Sequence, residues 1–196
     1  MRYILLVLLF VVVTTSGCMV VRDDKVKPPV KWPPQQTQDK KTIGISVTGV
    51  PNPRGANQLP KSETIEAARS QAVKAYTESG LFSSVALSDE PADLRADISV
   101  IEDGSEGMGA SGYISALTFT MIPGYVSEQV IVRTSVSDRS KQVVGTIEKQ
   151  EQQGSWIQFF LIFTMPFTSS AQDVAQSVFY DIHRATIDEA HSKGMF

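Results

Sequence analysis

The side chain best placed to do chemistry is the thiol of Cys18, the single cysteine of the 196-residue chain, which follows directly on Thr15-Ser16-Gly17. With no second cysteine there is no internal disulfide, so an exported chain carries this thiol either free or modified. The other candidates are weaker. His183 and His191 stand eight residues apart, whereas two ligands on one helix face need i, i+4 spacing. No carboxylate-rich motif joins them, and they read as packing or solvated residues. Asp93 and Asp97 share a predicted strand but no third ligand, and are expected to face water. Ser111 lies between Ala110 and Gly112 without nucleophile-elbow spacing. Gly107-Met108-Gly109-Ala110-Ser111-Gly112 matches G-x-G-x-x-G, yet the phosphate-binding form opens a helix within a βαβ unit. Here a β-branched stretch ending in Pro123 follows. The expectation is no catalytic residue, no metal, no cofactor and no enzyme.

What surrounds Cys18 gives its thiol a purpose. Arg2 supplies a positive charge, and Tyr3 to Val13 are uninterruptedly apolar. As a helix that run rises only about 16 Å, half a bilayer core, so it reads as a signal peptide over 1–17 rather than a spanning helix. An apolar run, small residues and then cysteine resemble the lipobox of bacterial lipoproteins, with Thr15 where that motif commonly carries an aliphatic. The resemblance implies a diacylglyceryl group and palmitate-type acyl chains on Cys18, which becomes the new N-terminus. An ordinary signal peptide cut near Gly17 is the alternative. Since Met19 is not the Asp that commonly retains lipoproteins in the inner membrane, the resemblance implies the periplasmic face of the outer membrane.

The formal net charge is −3, and losing Arg2 with the leader makes it one unit more negative. No basic run or stripe appears, so a nucleic-acid partner is not expected. Residues 18–41 hold two Pro-Pro pairs, Pro28-Pro29 and Pro33-Pro34, among charges and glutamines. That composition reads as a solvated, disordered tether. In polyproline form it would reach roughly 60–70 Å. Trp32 within it reads as a tolerated aromatic. The remaining residues, 42–196, suffice for one well-buried domain.

Within that domain, Ile43, Ile45 and Val47 alternate as a first strand. Ser62 is a plausible N-cap, with Ile65, Ala68, Ala72 and Tyr76 at helical spacing until Gly80. Leu81–Leu87 is a second strand and Leu94–Val100 a third. Val126–Ser137 and Gln142–Gln150 form the next two, joined by a polar turn at 138–141. Ser170 and Asp173 open a final helix in capping-box fashion. The order β-α-β-β-β-β-α predicts an α+β fold, an antiparallel-rich sheet with two helices on one face.

Ser79-Gly80-Leu81-Phe82 with Val85, Ala92-Asp93 opening a strand, and Val132–Asp138 with Val143-Val144-Gly145 in a hairpin resemble the curli-secretion and penicillin-binding-protein-activator lipoproteins. The lipopolysaccharide-assembly lipoprotein has a related layout. The hairpin turn lacks the glycine common in those families. The resemblance implies an outer-membrane lipoprotein acting by protein contact.

Two stretches exceed the plain sandwich, 104–125 and 152–169. The first turns apolar from Tyr113 to Ile122, and the second is apolar from Trp156 to Phe167. Leu117, Phe119 and Met121 alternate with threonines as a half-buried or membrane strand would. If the third to fifth strands form a meander, both inserts leave one end of the sheet. Leu117, Phe119, Met121, Trp156, Phe159, Phe160, Phe163 and Phe167 are then the candidate membrane or partner contacts, with core burial as the bland alternative. The expected function is that of a lipid-anchored, non-catalytic binding or scaffold subunit of an envelope assembly or secretion machine. Its expected partners are the membrane through the lipid on Cys18, an envelope protein and further copies of itself. The alternative is an oligomeric, membrane-inserted pore. Phe196 resembles the last residue of outer-membrane barrels only by accident, because it trails a helix.

Overall fold

The computed structural model describes residues 17–35, 39–52, 58–87, 92–104, 110–118, 120–158, 161 and 170–196. Its elements are β1 (Gly17–Arg22), β2 (Lys41–Gly49), α1 (Ser62–Glu78), β3 (Phe82–Ala86) and β4 (Leu94–Gly104), then α2 (Ala110–Leu117), β5 (Gly124–Asp138), β6 (Val143–Gln158) and α3 (Ala171–Ser192). The fold is α+β, as the pattern predicts. Strand order is β1-β6-β5-β4-β2-β3, so β4, β5 and β6 are the expected meander. Contacts divide the chain into two units. The first comprises Met1–Asp23, Gly104–Glu128 and Gln153–Val174; the second comprises Asp24–Asp103, Gln129–Gln152 and Ala175–Phe196.

In the second unit the alternating residues do what their spacing demands. Ile43, Ile45 and Val47 on β2, and Ala96, Ile98 and Val100 on β4, are all buried. β2 runs parallel to both neighbours, with Ile43 opposite Val85 of β3 and Val47 opposite Ile98 of β4. The crossover through α1 permits that parallel pairing, which makes the sheet mixed at this side. Ala68, Ala72 and Ala75 are buried on α1, and their short side chains let the helix lie close on β2 and β3.

Ser62 is not the cap of α1; it is the first helical residue, and Lys61 at the N-cap makes no side-chain capping bond. The Glu102 carboxylate of β4 takes that role. It accepts the Lys61 N–H at 3.1 Å and the Thr64 hydroxyl, satisfying the helix's positive end from across the fold. Gly80 ends the helix at φ 65. The α3 residues Val178, Phe179, Ile182 and Ile187 are buried.

The segment expected to be a free tether is held down. Val26 is buried. The fully buried carboxylate of Glu151 accepts the N–H of Lys25 at 3.0 Å and that of Val26 at 2.8 Å. An extended proline-rich chain leaves its remaining N–H groups unpaired, and a buried carboxylate needs donors. Farther on, Arg184 of α3 stacks 5.1 Å from the Trp32 ring centroid, so Trp32 is docked rather than merely tolerated.

Candidate functional site

The first unit contains both apolar inserts, and its local packing explains which side chains they expose. β1 pairs antiparallel with the end of β6, setting Cys18 opposite Ile157, Met19 opposite Trp156 and Val21 opposite Gly154. The N-terminal part of the expected tether is therefore a strand, and β6 extends eight residues beyond the predicted end at Gln150.

Of the stretch expected to alternate as a strand, Leu117 is instead the last residue of the helix α2, and Thr118 and Thr120 to Ile122 form the turn after it. Gly112 and Ser115, at helical i, i+3 spacing, are the helix's buried positions. A Cβ built on Gly124 of β5 would lie 2.8 Å from the Ser115 Cβ and 3.4 Å from the Gly112 Cα. The helix therefore closes on β5 through its smallest residues. The Ser115 hydroxyl reaches the Ile157 carbonyl at 3.5 Å, and the Ser111 hydroxyl donates to the Tyr125 carbonyl at 3.1 Å. At the other end Thr118 donates to the Ile114 carbonyl, and Thr120, at φ 60, donates its N–H to Ser115.

With the small face inward, the large apolar face points to solvent. Tyr113 is 61 % exposed, Leu117 is 80 % exposed, and Ile114, Met121 and Ile122 are exposed beside them. Ordinary surface helices show the reverse arrangement. Trp156 is 41 % exposed and lies against Tyr125 at a ring separation of 4.9 Å. Gly154 makes room for that pair, since a Cβ there would meet the Tyr125 ring within 3 Å. Tyr125 and Gly124 are adjacent on β5, so Trp156 and Tyr125 sit on the strand face opposite the one α2 covers.

Of the candidate contacts, Leu117, Met121 and Trp156 are thus exposed in one unit. Phe119, Phe159, Phe160, Phe163 and Phe167 lie outside the described residues. Tyr113, Ile114 and Ile122, also exposed, are not among the individually named candidates. The available signal was the i, i+4 pair Tyr113/Leu117 opposite the small pair Gly112/Ser115. Among the described residues no helix is long and apolar enough to cross a membrane, which says nothing of strands.

The remaining polar candidates are absorbed by structure. A helix does start at the glycine-rich motif, contrary to the sequence expectation, but it begins within the motif at Ala110, Gly112 is spent on packing, and residues 105–109 lie outside the described set. Among the described residues no cluster of metal-ligating side chains occurs. His183 is fully buried, with Nε2 3.1 Å from the Ala68 carbonyl; burial pushes its pKa down to about 4. His191 lines a shallow hollow with Asp39, Lys41 and Phe196 whose free volume, about 10 Å³, suits one water. Phe196 meets Phe82 edge-on at 5.0 Å. Asp97 pairs with Arg95 at 2.8 Å on an exposed face. Asp93 is not simply solvated: it accepts the N–H and hydroxyl of Thr42 at 3.0 and 2.8 Å, bonds that hold its carboxyl below the usual range.

No protein-family model matches the chain, and no curated protein matches it in sequence. Solved structures with a similar layout come from bacteria. A PelC dodecamer from Paraburkholderia phytofirmans is 13 % identical, with 87 % of this chain and 96 % of that one covered and a TM-score of 0.38. A neuraminyllactose-binding hemagglutinin homolog from Helicobacter pylori is 12 % identical over 87 % of this chain and 92 % of its own, with a TM-score of 0.49. A DUF4136 family protein from Bacteroides thetaiotaomicron is 10 % identical over 92 % and 96 %, with a TM-score of 0.32. At these scores the likeness is one of general layout, and no role is carried over from it.

Proposed function

We propose that this chain is a lipid-anchored protein of the bacterial cell envelope, held at the periplasmic face of the outer membrane through Cys18. It acts by binding, as a scaffold subunit of an assembly or secretion machine, rather than by catalysis. The observation that carries the binding role is the outward-turned apolar face of α2 and of the turn after it, with Tyr113, Ile114, Leu117, Met121 and Ile122 in water while Gly112 and Ser115 face inward. A protein that keeps five large apolar side chains exposed on one short segment is built to cover them with something else. The address rests on the leader and on the residues around Cys18.

The experiment is metabolic labelling with a radioactive fatty acid, followed by membrane fractionation of wild type and Cys18→Ser and by crosslinking. Label in the wild type, its loss in Cys18→Ser, and a crosslinked envelope protein are the expected results. An unlabelled wild-type chain overturns the anchor, and crosslinking that yields only background overturns the scaffold role.

A further inference from the structure

We propose that the exposed face of α2 seats the protein on the surface of a lipid bilayer, lying within the interfacial layer and not across it. This rests on the lipid-anchor reading of Cys18 and adds to it what covers the apolar face.

The position of Cys18 selects the bilayer over other occupants. Cys18 is not at the far end of a slack tether; it is a residue of β1, opposite Ile157 of β6. Paired strands lie about 5 Å apart, so an acylated Cys18 fixes the Ile157 backbone close to the bilayer surface. Ile157 also lies beside α2, its carbonyl 3.5 Å from the Ser115 hydroxyl. Anchor, strand end and helix therefore belong to one compact unit.

The chemistry of α2 suits that location. From Ala110 to Pro123 there is no Asp, Glu, Lys, Arg or His. Tyr113 stands among Ile114, Leu117, Met121 and Ile122, an apolar body with one aromatic hydroxyl, and such aromatics favour the headgroup level. At eight residues the helix is too short to span a bilayer, but an apolar face of this kind can lie in the interface. Acyl chains on the neighbouring strand supply the second attachment that such weak seats require. Because the segment is uncharged, the contact needs no anionic lipid.

The test uses the lipidated full-length product, purified in detergent and reconstituted into phosphatidylcholine vesicles. The triple variant Leu117→Trp/Trp32→Phe/Trp156→Phe leaves one reporter on α2. Lipids brominated near the top of the acyl chain are expected to quench its emission about two-fold, unaffected by salt, with Tyr113→Asp in the same background removing most of that quenching. Should the triple variant lose its circular-dichroism spectrum, Met121→Trp in place of Leu117→Trp repeats the measurement at a second exposed position. Unquenched emission from protein that co-floats with the vesicles overturns the bilayer seat while the anchor stands. Emission shielded only as protein density rises, with crosslinks between copies, assigns the face to a second copy and likewise overturns it. A Cys18 peptide without acyl mass overturns the anchor and the seat together.

Discussion

The buried carboxylate of Glu151 holds the backbone of Val26, its Oε2 accepting the Val26 N–H at 2.8 Å while Oε1 takes that of Lys25. The two N–H groups come from a segment with few apolar side chains to bury, so this clamp fixes its course. Replacing Glu151 by Ala leaves both donors without that acceptor. The expected cost is about 2–3 kcal/mol, read as a lower denaturant midpoint. Trypsin cleavage after Lys25 and Lys31 should accelerate in parallel; unchanged cleavage would show that other contacts hold the segment.

His183 makes stability depend on pH in one direction. Burial holds its imidazole at about 4 against an ordinary 6.5. As pH falls below about 6.5 the unfolded chain gains a proton that the folded one refuses. This residue therefore removes stability progressively until about pH 4, where the folded form also protonates. His183→Leu should flatten the curve across that window relative to wild type. Parallel curves for the two proteins would refute the assignment.

The hairpin turn places Lys141 at φ 64, where a side chain costs about 1 kcal/mol relative to glycine. Asp138 enforces this turn, its Oδ1 accepting from the N–H groups of Ser140 and Gln142 at 2.8 and 3.0 Å. Lys141→Gly should raise the unfolding free energy by roughly 0.5–1 kcal/mol, read as a higher denaturant midpoint. Asp138→Ala should lower that free energy by about 1 kcal/mol.

Gly154 and Tyr125 are coupled by contact. A Cβ at 154 would stand 2.6 Å from Tyr125 Cε2, so Gly154→Ala should cost about 1–3 kcal/mol. The same change in a Tyr125→Ala background should cost far less, and a double-mutant cycle measures the difference. Additive costs would mean that the ring moves aside freely.

The sequence by itself determined the strands and helices whose patterns are strictly local. Ile43/Ile45/Val47 and Leu94/Ala96/Ile98/Val100 alternate because one face of each strand is buried. Ser170 and Asp173 do form the capping box, with the Asp173 N–H 3.1 Å from the Ser170 hydroxyl. Apolar exposure at Leu117, Met121 and Trp156 was also legible, since uncharged runs outside the core pattern have few places to go.

Only the tertiary structure decided the rest, because each remaining feature depends on a residue distant in sequence. The α1 cap comes from Glu102, some forty residues away. The proline-rich segment is ordered by Glu151, which stands 125 residues beyond Val26 in the sequence. Alternation of Leu117 with threonines suggested a strand, but Leu117 closes a helix whose small residues Gly112 and Ser115 seat against Gly124 of β5. Likewise Cys18 announces a lipid from its neighbours alone. That it stands beside Ile157 follows from long-range strand pairing, which no local pattern encodes.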